Sequence, residues 1–270
     1  MMSGKFSDYT LSGIVFLVVA VILLVIATVT NRSDITSATL FLSGVGCFMG
    51  GILLITFSFE NPVDPVFTGL MIAGASENIP RLCSDLGVRG DAWFIPADGE
   101  GGPVWQFVAL TDKIPGQIRS DFSFYMQDDA SGVLIVPAAL PLIDHLRGKH
   151  GLAVQTGDDG VFASVREVCE DVIESADKVK VFREGDAIIA SIEGYRLYAG
   201  CRFLMQESPK CCTMNPCGIC SLISCMLALG LQKPVSISHI SGDHRKKALE
   251  LVFITGNERL SRDEGPGSSG

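Results

Sequence analysis

The sequence predicts an α+β protein in which a transmembrane hairpin of two helices precedes a soluble domain with several helices and mostly antiparallel strands. Two observations carry this prediction. Residues 11–30 and 35–59 are uncharged and strongly apolar. The rest of the chain mixes helical patterns with pairs of short apolar runs separated by turn residues, which is typical of hairpins in an antiparallel sheet.

The two apolar runs predict a membrane anchor. A helix of about twenty residues rises roughly 30 Å, which matches the hydrocarbon core of a bilayer. A cleaved signal peptide is the alternative for the first run, but that run is too long and a second one follows after residues 31–34. We therefore expect residues 1–60 to form two transmembrane helices, with the lipid bilayer as their partner.

Charge and cysteine content predict the location of the domain. The formal net charge of −9 resides in the chain from residue 60 onward, and an acidic domain is repelled by phosphate, so no nucleic-acid partner is expected. Lys5 and Arg32 nearly balance each other across the first run. Nine cysteines, an odd and clustered set, indicate reduced thiols. Together these features predict an integral cell-membrane protein with its domain in the cytoplasm.

The second apolar run contains Gly46 and Gly50, four residues apart. Small residues at this spacing allow two helix backbones to approach closely in lipid. Two interpretations stand: packing against the first span of the same chain, or formation of a homodimer through the second span.

Proline and glycine divide the remaining chain. Residues 61–65 contain two prolines and predict a stiff linker, residues 66–256 form the expected soluble domain, and residues 257–270 are expected to be a disordered tail. Glycine-rich residues 98–102 predict a hairpin turn, because the Lys-Ser/Thr pair and the helix of a phosphate-binding loop do not follow them.

Within the domain, Ser76 predicts the N-cap of a short helix that ends before Gly87. The apolar periodicity predicts further helices and eight strands. The expected helices cover residues 137–146, 161–175 and 216–229, and the expected strands cover residues 92–95, 104–110, 122–126, 133–136, 178–183, 187–192, 235–240 and 249–255.

The domain carries a weak internal similarity. Leu-Cys-Ser-Asp-Leu at residues 82–86 and Val-Cys-Glu-Asp-Val at residues 168–172 each precede a predicted hairpin. Each copy reads as a helix followed by two strands, which raises the hypothesis that the domain consists of two related halves.

The clearest candidate for chemistry is a cysteine cluster at residues 211–225. Asn215 is a favourable N-cap and Pro216 a favourable first helical residue. This places Cys217 in the first turn of a helix and Cys220 one turn later on the same face. A thiol in the first turn lies at the positive end of the helix dipole, which favours the thiolate.

Several functions fit the cluster. The cysteines can be small apolar core residues. Cys217 and Cys220 can form a dithiol redox pair, although the strand that precedes such a motif in thioredoxin is not predicted. Zinc can be held by Cys212, Cys217 and Cys220, with His239 or His244 as a further ligand. The same three cysteines have the leading spacing of an iron–sulfur site, but the fourth cysteine is missing.

Other catalytic signals are weak. The sequence has no Gly-x-Ser-x-Gly elbow, and its four histidines show no metal-binding spacing on a helix. No cofactor or enzymatic activity is therefore expected. We predict a membrane-tethered cytosolic binding or interaction module with a protein or small-molecule partner, and the alternative is a metal-binding or thiol-redox protein.

Residues 215–235 resemble the C-terminal motif of an uncharacterised family of archaeal two-span membrane proteins. Gly-Val-Leu-Ile-Val-Pro at residues 132–137, the helix after it, and Phe-Ile-Pro at residues 94–96 resemble further motifs of that family. Gly218 stands where the family motif has proline. The resemblance implies an archaeal source and a domain of unknown function, and it implies no activity.

Overall fold

The structure is a computed structural model, and it describes residues 8–30, 35–58, 65–97, 102–111, 113–118, 122–127, 129–207 and 209–256. The chain divides into two compact units, Met1–Val63 and Asp64–Gly270. The expected chain reversal at residues 31–34, most of the predicted linker, most of the glycine-rich turn and the predicted tail lie outside the described residues.

The first unit consists of helix α1, Asp8–Thr30, and helix α2, Ile35–Ser58. Each contains a stretch of 19 residues that is long and apolar enough to cross a membrane, and only 11% of each stretch is buried. Their apolar side chains therefore face outward, as expected for helices whose solvent is lipid. Transmembrane insertion of both helices remains a prediction.

Two glycine residues lie where the backbones of α1 and α2 approach each other closely. A Cβ added to Gly13 would lie 3.1 Å from the carbonyl oxygen of Gly51, and a Cβ added to Gly51 would lie 3.1 Å from that of Gly13. Gly50 approaches only the ring of Phe16, at 3.8 Å, and a Cβ at Gly46 would meet no described atom within 4 Å. Gly46 thus lies apart from the closest contact between the helices, and the homodimer remains a prediction.

The described part of the second unit forms six α-helices, one π-helical segment and eight strands. The helices are α3 Pro65–Asp85, α4 Leu140–His150, α5 Asp158–Glu167, α6 Tyr198–Glu207, α7 Pro209–Met214 and α8 Gly218–Leu231. The π-helical segment Val168–Val172 directly follows α5. The strands are β1 Ala92–Pro96, β2 Val104–Ala109, β3 Phe124–Gln127, β4 Ala130–Ile135, β5 Lys178–Glu184, β6 Ala187–Glu193, β7 Val235–Asp243 and β8 Ala248–Thr255.

All eight strands belong to one antiparallel sheet with the order β3-β4-β2-β1-β7-β8-β6-β5. The predicted α+β class with mostly antiparallel strands is therefore confirmed. The two hypothetical halves occupy different places in this sheet. β1 lies at the centre between β2 and β7, whereas β5, which follows the second copy of the motif, lies at an edge.

Central strands are buried on both faces of the sheet. Along β1, Phe94 points into the main core, whereas Trp93 and Ile95 belong to a second apolar cluster on the opposite face. This alternation follows from the two-residue period of a strand. Every residue of α8 from Ile219 to Gly230 is buried, and the apolar side chains among them belong to the main core.

The segment Lys210–Leu231 is also long and apolar enough to cross a membrane, but 83% of it is buried inside the protein. A helix that is apolar on all sides requires an apolar surrounding on all sides. α8 finds that surrounding between the sheet and the neighbouring helices. The structure thus makes α8 a core helix.

Helix α3 differs from the prediction. It starts at Pro65, so Ser76 lies inside the helix and is not its N-cap. Pro80 also lies inside α3, and because proline has no N–H, it cannot donate to the carbonyl of Ser76 four residues earlier. The side-chain nitrogen of Asn215 donates to that carbonyl oxygen instead, at 3.1 Å. This bond joins α3 to the loop that precedes the cysteine motif.

Candidate metal centre

The cysteine motif is held by a buried loop between α7 and α8. The side-chain nitrogen of Gln106 on β2 donates to the carbonyl of Met214 and to the side-chain oxygen of Asn215, both at 3.2 Å. Asn215 is thus engaged in bonds to the sheet and to α3. The predicted N-cap at Asn215 and first helical residue at Pro216 are wrong: Cys217 is the N-cap, and α8 begins at Gly218.

Three cysteines meet at the start of α8. The sulfur atoms of Cys217 and Cys220 are 3.6 Å apart, and those of Cys201 and Cys217 are 3.7 Å apart. All three sulfur atoms lie within 4.8 Å of one another. The residues are only 6%, 8% and 3% exposed for Cys201, Cys217 and Cys220, respectively. Cys201, Cys217 and Cys220 are called the cysteine triad below.

These distances suit a single metal ion. With zinc–sulfur bonds of about 2.3 Å, two sulfur ligands of a tetrahedral ion lie about 3.8 Å apart. Two of the sulfur–sulfur distances in the cysteine triad are close to this value without any rearrangement. In an iron–sulfur cluster at most two cysteines bind the same iron atom, so three cysteines cannot all have the spacing of ligands to one ion; the triad therefore suits a mononuclear site better than a cluster.

The triad differs from the predicted ligand set in one member. Cys201 takes the place predicted for Cys212. Cys212 lies beside the triad, and it lines a void of about 10 Å³ together with the triad and Met205. His239 is exposed on β7. The Nε2 atom of His244 lies 3.0 Å from the Nη1 atom of Arg202, and its ring stacks on Tyr198.

Sequence reasoning missed Cys201 because it assigned no element to the segment that forms α6. The spacing of Tyr198, Cys201, Leu204 and Met205 places them on one face of a helix, which is a signal that could have identified it. The first three are buried, and Met205 is partly buried against the core. Cys201 therefore faces the start of α8 from a neighbouring helix.

Hydrogen bonding distinguishes the three thiols. Hydrogen bonds with Cys201 and Cys220 lower the pKa of Cys217, and their effect exceeds the opposing effect of burial. The hydroxyl of Tyr195, 3.9 Å from the sulfur of Cys217, lowers this pKa further. By contrast, burial raises the pKa of Cys169, Cys212 and Cys225 to about 12. Within the triad, hydrogen bonds between the thiols raise the pKa of Cys201 and Cys220, so Cys217 is the sulfur best prepared to be a thiolate.

An apolar cavity of about 170 Å³ borders the triad. Gly69 and Ile72 of α3, Leu204 of α6 and Ile219 of α8 are among the residues that line it, together with Cys201 and Cys217. The lining includes no charged residue. A small molecule in this cavity would therefore lie among apolar residues and contact two triad cysteines.

The fold and the site together define the class of protein. It has an apolar N-terminal helical hairpin and an α+β domain, and that domain contains one antiparallel sheet and a buried group of three cysteines. The chain belongs to the family described as a domain of unknown function, DUF7982, whose model matches residues 3–202. Searches among curated proteins and among solved structures found no match.

The family match confirms the predicted membership of a domain-of-unknown-function family. It covers α1, α2, the first six strands and Cys201, and it ends before Cys217 and Cys220. The motif at residues 215–235, which suggested a family, lies beyond the matched residues. The archaeal source remains a prediction.

Proposed function

We propose that the protein is a membrane-tethered binding module whose domain holds one thiophilic metal ion, with Zn²⁺ the best candidate, between Cys201, Cys217 and Cys220. The observation that supports this proposal is the approach of three buried sulfur atoms to within 4.8 Å of one another. Soft thiolate ligands favour Zn²⁺ or Cu⁺ over hard cations such as Mg²⁺.

Charge and coordination fit such a site. Three thiolates around Zn²⁺ carry one net negative charge, and a buried charge needs hydrogen-bond donors. The hydroxyl of Tyr195 can donate to the Cys217 thiolate. Three protein ligands leave one position of a tetrahedral ion for water or an exogenous ligand. The apolar cavity beside Cys201 and Cys217 offers space for that ligand.

The metal content of the full-length protein tests this proposal. After anaerobic purification in detergent, we expect about one metal ion per chain, as three protein ligands and one ion require. Serine in place of Cys201, Cys217 or Cys220 should remove most of the metal. Cys225→Ser is the matched control, because Cys225 lies on the same helix, is fully buried and is outside the triad.

Substitution with Co²⁺ measures the number of cysteine ligands, because the intensity of the sulfur-to-cobalt charge-transfer bands increases with the number of bound thiolates. The wild-type bands should exceed those of each triad variant and equal those of Cys225→Ser. Wild-type protein that neither contains metal nor binds cobalt would contradict the proposal and leave the cysteines as packing residues.

Thiol–disulfide exchange is a second candidate, favoured by the lowered pKa of Cys217 and its 3.6 Å distance from the sulfur of Cys220. The Cys217 thiolate would attack a substrate disulfide and release one thiolate. Cys220 would then attack the mixed disulfide, release the second thiolate and form the Cys217–Cys220 disulfide. Loss of two thiols per chain upon treatment of metal-free protein with glutathione disulfide would favour this function.

The tether in this proposal consists of α1 and α2 as two membrane spans, with the domain in the cytosol, where thiols stay reduced. Orientation is tested with Ser84→Cys, because Ser84 is exposed whereas the native cysteines of the domain are buried. In intact cells this variant should resist a membrane-impermeant maleimide and react only after lysis. Labelling before lysis would place the domain outside.

A further inference from the structure

Helix α3 exposes an apolar face directly after the second apolar helix. α2 ends at Ser58 and α3 begins at Pro65. Four large apolar side chains in the first two turns of α3 are exposed: Val66 (46%), Phe67 (65%), Leu70 (45%) and Met71 (77%). Residues three and four positions apart share one face of a helix, so these side chains form one patch, the α3 patch.

The α3 patch is distinct from the core-facing side of the same helix. Gly69 and Ala73 are buried on the other side, where Gly69 contacts Gly200 of α6. Single exposed apolar residues are ordinary, but a contiguous patch marks an interaction surface. Residues 65–76 carry no charge, and the first charged residue of the helix is Glu77.

We infer that the α3 patch lies in the interfacial layer of the bilayer, among lipid headgroups and the first methylenes of the acyl chains. This inference rests on the proposed insertion of α1 and α2. Six residues join α2 to α3, and an extended chain of that length spans at most about 20 Å. The first turn of α3 therefore begins within about 20 Å of the bilayer surface at which α2 leaves the membrane.

The chemistry of the patch also fits lipid. Apolar helix faces at a membrane interface lie about 5–10 Å deep, at the boundary of headgroups and acyl chains. The patch contains no lysine or arginine and belongs to an acidic chain. Its contact with the bilayer is therefore apolar and independent of anionic lipid, in contrast to helices that bind membranes through basic residues.

Tryptophan quenching tests this contact. Phe67→Trp is introduced into the full-length protein, which is reconstituted in phosphatidylcholine vesicles with or without brominated acyl chains. Bromine quenches tryptophan only at contact, so at interfacial depth the added emission should fall about twofold in brominated vesicles. The native residues Trp93 and Trp105 give the background, which is subtracted with wild-type protein.

Two further variants separate the outcomes. Phe182→Trp on edge strand β5, where Phe182 is 44% exposed, should show no quenching. Phe16→Trp on α1 should be quenched if the proposed spans are inserted.

Quenching at residues 16 and 67 but not 182 is the expected result. Quenching at residue 16 without quenching at residue 67 would overturn this inference and leave the spans intact, and it would assign the patch to a protein partner. Lack of quenching at residue 16 would overturn the proposed anchor and the inference with it.

Discussion

Serine in place of Cys220 is expected to lower the thermal unfolding midpoint of the metal-loaded protein by about 10 °C or more. Cys225→Ser should lower it by only a few degrees. Both residues lie on α8 and are buried, and both substitutions place a hydroxyl in the core at a cost of about 1–3 kcal/mol. Only Cys220→Ser also removes a proposed metal ligand, and a bound structural metal contributes its binding free energy to folding.

The measurement uses tryptophan fluorescence of the full-length protein in detergent. Trp93 and Trp105 are on β1 and β2, so their emission reports the sheet and not the apolar hairpin. A strong chelator should lower the wild-type midpoint by the difference between the effects of Cys220→Ser and Cys225→Ser, because it removes the metal without placing a hydroxyl in the core. It should leave the midpoint of Cys220→Ser unchanged. Equal effects of the two serine variants, together with no effect of the chelator, would identify the triad as a packing feature only.

Alanine in place of Gly200 is expected to destabilise the domain by about 3 kcal/mol, which corresponds to a fall in midpoint of about 10 °C. α3 and α6 touch through glycine backbones. A Cβ at Gly200 would collide with the carbonyl oxygen of Gly69 and lie 2.6 Å from its carbonyl carbon. Because both partners are backbone, no side-chain rotation can relieve the overlap, and the two helices must separate.

Gly148→Ala is the matched control for Gly200→Ala. Gly148 is also helical and exposed, and a Cβ there would meet no described atom within 4 Å. The methyl group should raise stability by about 0.5–1 kcal/mol, because alanine favours the helix over glycine. The same fluorescence melt measures both variants. An unchanged midpoint for Gly200→Ala would mean that the helices are further apart than the structure places them.

The strands could be predicted from the sequence because the residue pattern that favours a strand is local. All eight observed strands overlap predicted runs, since alternating apolar residues and turn residues at their ends are visible within a short window. Their order in the sheet was not predictable. The pairing of β1 with β7 depends on contacts between residues distant in the chain. α6 was missed because it is only ten residues long and its first turn contains Gly200, a poor helix former.

The start of α8 shows why local rules fail at the site. Asn215 and Pro216 have the local preferences of an N-cap and a first helical residue. The side chain of Asn215 instead bonds to Ser76 and Gln106, residues from distant parts of the chain. These tertiary bonds shift the helix start by two residues and make Cys217 the N-cap. The pairing of Cys217 with Cys220 follows from helical spacing, whereas the approach of Cys201 depends on the packing of α6.

The strand order also determines when the sheet can be completed during synthesis of the chain. β1 is central, yet one of its two neighbours is β7, and Trp93 pairs with Ser236, which lies 143 residues later. At about 5–20 residues per second, a ribosome needs on the order of ten seconds to make the intervening chain. During that interval β1 is an open edge that can recruit foreign strands. Completion of the sheet therefore waits until β7 has left the ribosome.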